Sequence, residues 1–271
     1  MRIIDAQVHI WSSGTPIEPH RPTSVLSKDA LLAEMAEAGV DAAVIHPPSW
    51  DPNSNAVAIT AVRAEPKKFA ILGHFPLDRP ECRGLVDTWK QQPGMLGLRW
   101  SLTRPEQANW HTDGTMDWLW PAAERAGLPV ALLAGRFLPV FRGIAERHPG
   151  LKLIIDHLGL VRRTQDAAAF ATLPDLLALA ELPNVAIKAT GAPSCSSQPY
   201  PYRNIHDGLR RIYDAYGPRR FFWGTDITRM PCSWRQCVTV FTEELPWLKG
   251  RDLDLVMGEA LCNWVGWHLP G

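Results

Sequence analysis

The sequence predicts an α/β protein that folds as a single-domain (β/α)8 barrel of the TIM type, and three observations support this prediction. Eight strand-like segments alternate with helix-like segments along the 271 residues. The strand-like segments are mostly apolar, as is typical of parallel strands covered by helices on both faces. No linker, low-complexity segment or change in composition divides the chain, so one domain is expected over residues 1–271. An open, doubly wound sheet is the alternative arrangement of the same elements.

The predicted strands are short runs rich in Val, Ile, Leu and Ala. In chain order they are RIIDAQVHIW, VDAAVIHPP, FAILGHFPLD, MLGLRWSL, LPVALLAG, LKLIIDHLG, NVAIKATGAP and RFFWGTDI. Two consecutive prolines, in HPP, stop the second run.

The segments between these runs have apolar residues at helical spacing. In order they are SKDALLAEMAEAG, SNAVAITAVRAEPKK, ECRGLVDTWKQQPG, GTMDWLWPAAERAG, FLPVFRGIAERHPG, TLPDLLALAEL, IHDGLRRIYDAYG and SWRQCVTVFTEELPWL, with RDLDLVMGEALCNWVGW at the end. The first begins after Ser27, a typical N-cap residue. The links AEAGVDAAV, QQPGMLGL, ERAGLPVAL and ERHPGLKLI each place a glycine where a left-handed C-cap ends a helix.

Composition excludes several classes of function. Lys plus Arg number 28 and Asp plus Glu number 28, so the formal net charge is zero and no basic excess indicates nucleic-acid binding. No apolar run is long enough for a membrane span, and the N-terminus lacks a secretory pattern. The five cysteines include no CxxC pair, so neither a disulfide framework nor a zinc ribbon is expected. A cytoplasmic protein that acts on a small molecule is the expectation.

The first strand raises the question of what its polar residues do. Two sets alternate along it, an apolar set and a polar set: Ile4, Ala6, Val8 and Ile10 against Asp5, Gln7 and His9. On an antiparallel strand the polar set would face solvent. In a barrel the apolar set packs under the helices, so we expect the polar set to face inward, where it needs partners or a ligand.

Ionisable and polar residues also occur at or near the ends of the other predicted strands. With those of the first strand they are Gln7, His9, His46, His74, Arg99, Asp156, His157, Lys188, Asp226 and Arg229. The carboxyl ends of the strands in a (β/α)8 barrel meet on one face, which carries the active site. The sequence therefore predicts an active site built from this set.

Four of the motifs identify a family resemblance. IIDAQVHIW, HPGLKLIIDHLG, NVAIKATG and FFWGTDI, in this order, resemble the amidohydrolase superfamily and, more narrowly, its amidohydrolase-2 branch. That branch includes 2-pyrone-4,6-dicarboxylate lactonase and sugar lactonases. The resemblance implies a barrel that opens a small cyclic ester, and it covers nearly the whole chain.

The resemblance also raises the question of whether this protein binds a divalent metal. Strand 1 of the superfamily usually ends in HxH, which binds a divalent metal, but here the first position is Gln7. The fifth strand, VALLAG, has no ligand where a histidine often completes the site. His9, His157 and Asp226 remain and could hold zinc or manganese. The depleted set favours chemistry that requires no cofactor, as in lactonases that work without metal.

The resemblance and the residue types together suggest roles. Asp226 is expected to act as general base towards water, with His9 and His157 polarising the substrate carbonyl and Gln7 as an amide donor. A structural aspartate that caps a loop is the alternative for Asp226. Asp156 and His157 are neighbours, so only one should face inward, and the family pattern favours His157.

Cationic side chains are the expected binding groups for a substrate carboxylate. Arg99 suits that role, or else it pairs with Asp156 or Asp226 inside the barrel. Arg229 either lies at the surface or binds substrate. For Lys188 we expect a structural ion pair with Asp226 or with Asp5, although contact with an anionic substrate is possible.

The remaining candidates are aromatic, imidazole or thiol groups. His46 and His74 each precede a proline-bearing loop and are either structural or substrate-binding. The tryptophans near strand ends belong to the core or wall the pocket: Trp11, Trp50, Trp100 and Trp223. Cys232 and Cys237 lie in CSWRQC at a helix start, where no adjacent base favours a nucleophilic thiol, and this segment is a candidate loop cap over the site.

The leading hypothesis is a hydrolase of a carboxylate-bearing lactone that uses water activated by Asp226. A metal-dependent decarboxylase or hydratase of an aromatic or unsaturated acid is the alternative, followed by a non-catalytic protein that binds a small molecule. The C-terminal WVGWHLP could pack on a second copy of the chain.

Overall fold

A computed structural model of the chain describes residues 1–102, 104–161 and 163–269, and it confirms the predicted (β/α)8 barrel. Eight parallel strands form one sheet in the order of the sequence. They are β1 (Ile4–Val8), β2 (Ala42–Ile45), β3 (Phe69–Gly73), β4 (Met95–Trp100), β5 (Val130–Leu133), β6 (Leu153–Asp156), β7 (Val185–Ala189) and β8 (Phe221–Trp223).

Helices follow the strands on the outside of the barrel. They are α1 (Lys28–Ala38), α2 (Ser54–Ala64), α3 (Leu85–Thr88), α4 (Leu119–Arg125), α5 (Ala134–Arg147), α6 (Asp166–Ala169), α7 (Leu173–Leu179), α8 (His206–Tyr216), α9 (Trp234–Thr239), α10 (Gly250–Asp254) and α11 (Ala260–Val265). Ser27 caps α1 as predicted, since its side chain accepts a hydrogen bond from the Ala30 amide.

Some predicted helices are shorter or broken. The segment ECRGLVDTWKQQPG forms only α3 and two 3-10 turns, at Pro80–Cys82 and Trp89–Gln91. The predicted helix from residue 114 starts only at Leu119. The last two helical segments contain π-type turns at Val240–Glu244 and Leu255–Glu259, the second with non-helical backbone at Gly258. Within the described residues, every helix is too short or too polar to cross a membrane.

Strands β8 and β1 meet where the barrel closes. The Asp226 amide, just beyond β8, donates to the carbonyl of Gln7 at 2.9 Å. Gly224 makes this approach possible, because a Cβ at that position would lie 2.8 Å from the amide nitrogen of Ala6 and 2.7 Å from Cγ2 of Thr190. The WGTD segment therefore brings Asp226 directly beside the polar residues of β1.

A β-bulge in β1 changes the predicted alternation. Asp5 pairs with Ala43 and Val8 pairs with Ile45, so three steps along β1 match two along β2. Ile4 and Ala6, which were expected under the helices, instead join the apolar cluster in the barrel interior, whereas Val8 packs under the helices. The expectation that Asp5 faces inward is wrong: its carboxylate accepts a hydrogen bond from Trp234 of α9, at 3.0 Å.

The barrel interior is apolar at one end and polar at the other. Its floor is a cluster that includes Ile4, Ala6, Ala42, Val44, Ala70, Leu72, Ala131, Ile154, Ala186 and Phe222. Trp264 and Trp267 pack against this cluster, so part of the C-terminal WVGWHLP segment covers the barrel's own floor. The polar strand-end residues occupy the opposite end. Association with a second copy stays a prediction.

Candidate active site

A cavity of about 320 Å³ opens at the carboxyl ends of the strands. Its lining includes His9, His20, Trp50, Arg99, His157, Arg163, Asp226 and Arg229. The structure thus brings together five residues of the predicted set, which come from β1, β4, β6 and β8 or from the residues that follow them. This is the face on which (β/α)8 enzymes carry their active sites.

His9 and Asp226 form the shortest polar contact at the base of the cavity. His9 Nδ1 lies 2.6 Å from the carbonyl oxygen of His46, which can only accept, so Nδ1 carries a hydrogen. His9 Nε2 lies 3.1 Å from Oδ1 of Asp226. This second contact is attractive only if a proton, or another cation, lies between the two atoms.

The Asp226 carboxylate is surrounded by cationic or potentially cationic groups. It is 2% exposed, and Arg229 Nε and His157 Nε2 lie 3.6 and 3.7 Å from its Oδ2. Burial raises the pKa of Asp226, but His9, Arg229 and His157 outweigh burial and hold this pKa well below its usual value. Asp226 also adopts a left-handed φ of 59°, which aims its carboxylate back into the barrel.

His157 reaches the cavity although its neighbour Asp156 also points inward, so the expectation that only one of them faces inward is wrong. His157 follows β6 with a left-handed φ of 53°, which breaks the alternation of the strand. Its Nδ1 lies 2.8 Å from the hydroxyl of Thr190. A hydroxyl can donate or accept, so His157 can carry its hydrogen on either ring nitrogen. Burial lowers the pKa of His157 well below its usual value, which keeps the ring neutral.

Lys188 fixes the orientation of Gln7. The ammonium of Lys188 lies 2.8 Å from Gln7 Oε1, and an ammonium can only donate, so the atom facing it is the carbonyl oxygen. The NH2 group of Gln7 consequently faces the imidazoles, 3.5 Å from Nε2 of His9 and 3.4 Å from Nε2 of His157. Gln7 therefore presents hydrogen-bond donors to the reaction centre.

A buried ion network lies beneath these groups. Lys188 Nζ is 2.6 Å from Oδ1 of Asp156, and Arg99 Nε is 2.9 Å from Oδ2 of the same carboxylate. Lys188 thus pairs with Asp156 and not with the predicted Asp226 or Asp5, and the Asp5 carboxylate instead contacts Trp234 and Thr225. Burial lowers the pKa of Lys188, and Lys188 and Arg99 overcome the effect of burial to lower the pKa of Asp156.

The predicted metal ligands do not fit a divalent cation. A cation held by His9, His157 and Asp226 would need bare Nε2 atoms, and the NH2 group of Gln7 is aimed at both of them. A different donor set is compact enough, since ligand atoms of His9, His20 and Asp226 all lie within 4.8 Å of one another. In that set His20 takes the place of His157, so only the contact of the Gln7 amide with His9 would have to change.

His20 and Arg163 line the cavity although they were not among the predicted site residues, and Trp50, expected either in the core or at the pocket wall, lines it as well. His20 lies in the β1–α1 loop, its Nδ1 2.8 Å from the Thr228 hydroxyl. Its ring stacks at a tilt against Trp50, with centroids 4.8 Å apart. Burial lowers the pKa of His20 to about 3. Neither His20 nor Arg163 shows a spacing or motif that indicates a site, whereas Trp50 follows a predicted strand end.

Five of the seven predicted substrate-binding residues do not line this cavity. Gln7 and Lys188 are fully buried; the other three are Trp11, His46 and His74. Trp11 is fully buried, and its indole N–H donates to the carbonyl of Thr23. His46 is fully buried as well, with Nε2 3.1 Å from the carbonyl oxygen of Ala6. His74 lies in a separate depression with Arg104. Trp11 and His46 are held by backbone carbonyls, so they are structural in this arrangement, as are the buried Trp100 and Trp223.

Arg99 combines its two predicted roles. Its Nε pairs with Asp156, while its side chain, 14% exposed, also lines the cavity. No acceptor among residues 1–102, 104–161 and 163–269 forms a hydrogen bond with its terminal nitrogens. Arg229 is 10% exposed, and in the same described ranges its Nε has no hydrogen-bond acceptor. Both guanidinium groups can therefore bind an anion.

Comparisons with known proteins found a matching family model and several solved structures of similar fold. A family model described as amidohydrolase matches residues 4–267. An amidohydrolase from Burkholderia multivorans with bound zinc is similar, with a TM-score of 0.81, 20% identity, and 98% of this chain and 99% of that chain covered. No curated protein matches the sequence.

Two further solved structures share the fold. One is a probable 2-pyrone-4,6-dicarboxylic acid hydrolase from Acinetobacter baumannii with citric acid bound, at a TM-score of 0.77 and 15% identity, covering 98% of this chain and 100% of that chain. The other is a 5-carboxyvanillate decarboxylase from Sphingomonas paucimobilis, at a TM-score of 0.66 and 18% identity, covering 98% and 99%.

Proposed function

The chain belongs to the amidohydrolase family, whose model spans almost all of it, and from this premise we propose that it hydrolyses a small lactone that carries a carboxylate. Enzymes of this family act as hydrolases or decarboxylases. The observation that supports lactone hydrolysis is the ionised Asp226 in one cavity with His9, His157 and the guanidinium groups of Arg99 and Arg229.

Asp226 is the proposed general base. A water molecule between its carboxylate and the lactone carbonyl would lose a proton to Asp226 as its oxygen attacks the carbonyl carbon. Asp226 remains ionised at neutral pH because its pKa is held well below the usual value, so every molecule is ready to accept that proton. Ring opening then returns the proton to the leaving alkoxide.

His9, His157 and Gln7 are the proposed donors to the developing oxyanion. The Gln7 amide is already aimed at the space between the two imidazoles, and Lys188 holds it there. His157 can place its hydrogen on Nε2 when the Thr190 hydroxyl donates to Nδ1. Donors fixed before the reaction stabilise charge that develops only in the transition state.

Arg99 and Arg229 are the proposed carboxylate-binding groups, with Arg163 at the rim. A planar guanidinium can bind a carboxylate through two parallel hydrogen bonds. The terminal nitrogens of Arg99, which form no hydrogen bond with a described residue, and the guanidinium of Arg229 provide such donors on the cavity wall. A solved structure of the same fold has citric acid bound, which is an anionic ligand like the proposed substrate.

The test is hydrolysis of a lactone panel, with and without ring carboxylates, by chelator-treated protein. We expect turnover to survive chelation, to favour carboxylate-bearing lactones, and to fall about 10²–10⁴-fold in Asp226→Asn. Asp214→Asn, which removes a carboxylate from the exposed side of α8, is the matched control and should keep full activity. Equal turnover in Asp226→Asn and the parent protein would disprove the assignment.

A metal-dependent decarboxylase is the second candidate, and the compact donor set of His9, His20 and Asp226 favours it. A bound divalent cation would polarise a substrate oxygen as a Lewis acid. These three residues would hold it, with His20 exchanging its contact with Thr228 for the cation. Equilibrium dialysis with Mn²⁺ tests this candidate: one ion per chain, lost in His20→Asn, would support it.

A further inference from the structure

Two cysteine sulfurs touch at the start of α9, just beyond the active-site residues of β8. The Sγ atoms of Cys232 and Cys237 lie 3.5 Å apart. Cys232 is half-buried, whereas Cys237 is 2% exposed. The proposed hydrolysis uses neither thiol. Cys232 follows Arg229 by only two intervening residues, so this pair sits in the segment that carries a cavity-lining guanidinium.

The backbone around this pair is fixed by a capping box. The Ser233 hydroxyl accepts a hydrogen bond from the amide of Gln236, and the Gln236 side chain accepts one from the amide of Ser233. Cys232 thereby occupies the position before the N-cap, and Cys237 occupies the fourth helical position. In other helices these two positions hold apolar residues that pack together as a hydrophobic staple. Here two cysteine side chains occupy the positions of the staple.

We propose that Cys232 and Cys237 form a disulfide when the folded protein meets a peroxide. The Cys232 thiolate attacks one peroxide oxygen, which forms an S–O bond, breaks the O–O bond and releases hydroxide. The Cys237 sulfur then attacks the sulfur of the resulting sulfenic acid. Its thiol proton leaves with the displaced hydroxide as water. In total, two thiols give two electrons to one peroxide and yield one disulfide and two waters.

The two thiols differ in exposure and in pKa, which makes Cys232 the attacking group and Cys237 the resolving group. A hydrogen bond from Cys237 lowers the pKa of Cys232, burial opposes that effect, and Tyr202 contributes a further hydrogen bond. The same contact, together with burial, raises the pKa of Cys237. The more exposed thiol is thus the one that ionises, which is the usual arrangement of a redox-sensitive pair.

A disulfide here would act on the active-site end of β1 and β8. The side chain of Trp234, between the two cysteines, donates to Oδ2 of Asp5 at 3.0 Å. Oδ1 of Asp5 accepts hydrogen bonds from the amides of Gln7 and Thr225, each at 2.9 Å. The bonded sulfurs must approach from 3.5 Å to about 2.05 Å, which tightens the start of α9 against these contacts. We therefore infer a more rigid segment from residue 229 to residue 237.

Peptide mapping of the native chain after mild peroxide treatment tests the pair directly. Trypsin cleaves after Arg229, Arg235 and Lys249, so the disulfide would join peptide 230–235 to peptide 236–249. We expect this linked pair in the unreduced digest and its separation by a reductant. Thiol titration of the denatured protein should show the loss of two of the five thiols. Hydrogen exchange in residues 229–237 should slow on oxidation and recover on reduction.

Variants provide the controls. Cys232→Ser should abolish the linked peptides and leave the exchange rate unchanged by peroxide, whereas Cys262→Ser, which removes a half-buried thiol from α11, should behave like the parent protein. Cys237→Ala, which keeps an apolar side chain in the buried position, should leave Cys232 as a sulfenic acid that a dimedone probe traps. Retention of all five thiols, or over-oxidation of Cys232 without the linked peptides, would show that the sulfurs form an apolar staple only.

Discussion

The atom that Gln7 turns towards the imidazoles decides which ligand the site accepts. Lys188 takes the carbonyl oxygen of this amide, which leaves only N–H donors for the reaction centre. Donors of this kind suit an oxyanion and repel a cation. The electrostatic character of the site is therefore set by a buried residue that does not line the cavity.

Gln7→Glu is predicted to convert this position into a metal ligand. One carboxylate oxygen would keep the bond to Lys188, and the other would replace the NH2 group and face His9 and His157. Carboxylate and imidazole together suit Mn²⁺ and Zn²⁺, so affinity for these ions should rise at least about tenfold. Isothermal titration of the chelator-treated protein measures the change. Gln198→Glu adds the same charge at an exposed position and should leave the affinity unaltered, and equal affinities in all three proteins would refute the idea.

His20 is predicted to make the folded state less stable in acid. Burial places its pKa at about 3, below the ordinary value of about 6.5 that applies in an unfolded chain. Between these values the unfolded state binds more protons, so the free energy of unfolding falls as pH decreases, by up to about 1.4 kcal/mol per pH unit. His20→Asn removes the titrating group and should flatten this dependence.

Urea denaturation between pH 6.5 and pH 4 tests the sign of this pH dependence of the free energy of unfolding. Asp5, whose pKa burial raises to about 6, gives the opposite dependence above pH 4, but it is present in both proteins and cancels in the difference. His268→Asn, at an exposed histidine, is the control. Parallel stability curves for the parent protein and His20→Asn would contradict the prediction.

Among single residues, those of the candidate site that lie at or after strand ends could be predicted from the sequence, and those that lie elsewhere could not. Asp226, His157 and His9 could be found because each lies at or just beyond a strand end. His20 could not, because it reaches the cavity from a loop whose path depends on contacts with Trp50 and Thr228. Trp11 and His46 were candidates for either the core or the cavity because each lies at a strand end, and backbone carbonyls hold both in the interior.

At the scale of the elements, alternation along a strand predicts faces only while the strand stays regular. Asp5 faces α9, and the bulge that follows it in β1 brings Gln7 and His9 inside. The left-handed backbone at His157 has a similar effect after β6, where two consecutive residues both reach the interior. No residue type in these segments indicates a bulge or a positive φ, so the hydrophobic pattern alone could not reveal either feature.

Gly224→Ala is predicted to destabilise the closure of the barrel. An added methyl would lie 2.8 Å from the amide of Ala6 and 2.7 Å from Thr190, so β8 and β1 would have to separate. Overpacking of this kind typically costs about 1–3 kcal/mol. The urea midpoint measures the loss. Gly84→Ala is the control, because a Cβ there meets nothing within 4 Å and the backbone is already helical, with φ of −62°. A Gly224 variant as stable as the Gly84 variant would show that the strands can accommodate the methyl.

For the whole molecule, the alternation of strands and helices was sufficient to predict the fold. Glycines that end helices, such as Gly39 with φ of 78°, lie in the left-handed conformation expected from the sequence. The helical segment from residue 81 was less predictable. Its apolar residues are spaced as in a helix, but Gly84 interrupts it, and only short turns pack on the barrel.

We predict that the chain unfolds in one cooperative transition, as expected for a single domain over residues 1–271. The hydrogen bond from Asp226 to Gln7 joins the last strand to the first, and Trp264 covers the floor cluster to which most strands contribute. Release of one βα unit would therefore expose both the floor and the helix-covered core, so partial unfolding should be unfavourable. Urea transitions followed by far-UV circular dichroism and by tryptophan fluorescence should coincide.

Two variants test this prediction at the two ends of the barrel. Trp50→Phe removes a fluorescent reporter at the cavity and Trp264→Phe removes one at the floor. The circular dichroism and fluorescence transitions should still coincide within each variant. If either variant instead separated the fluorescence transition from that of circular dichroism, the two ends of the barrel would unfold independently, and the chain would contain two folding units.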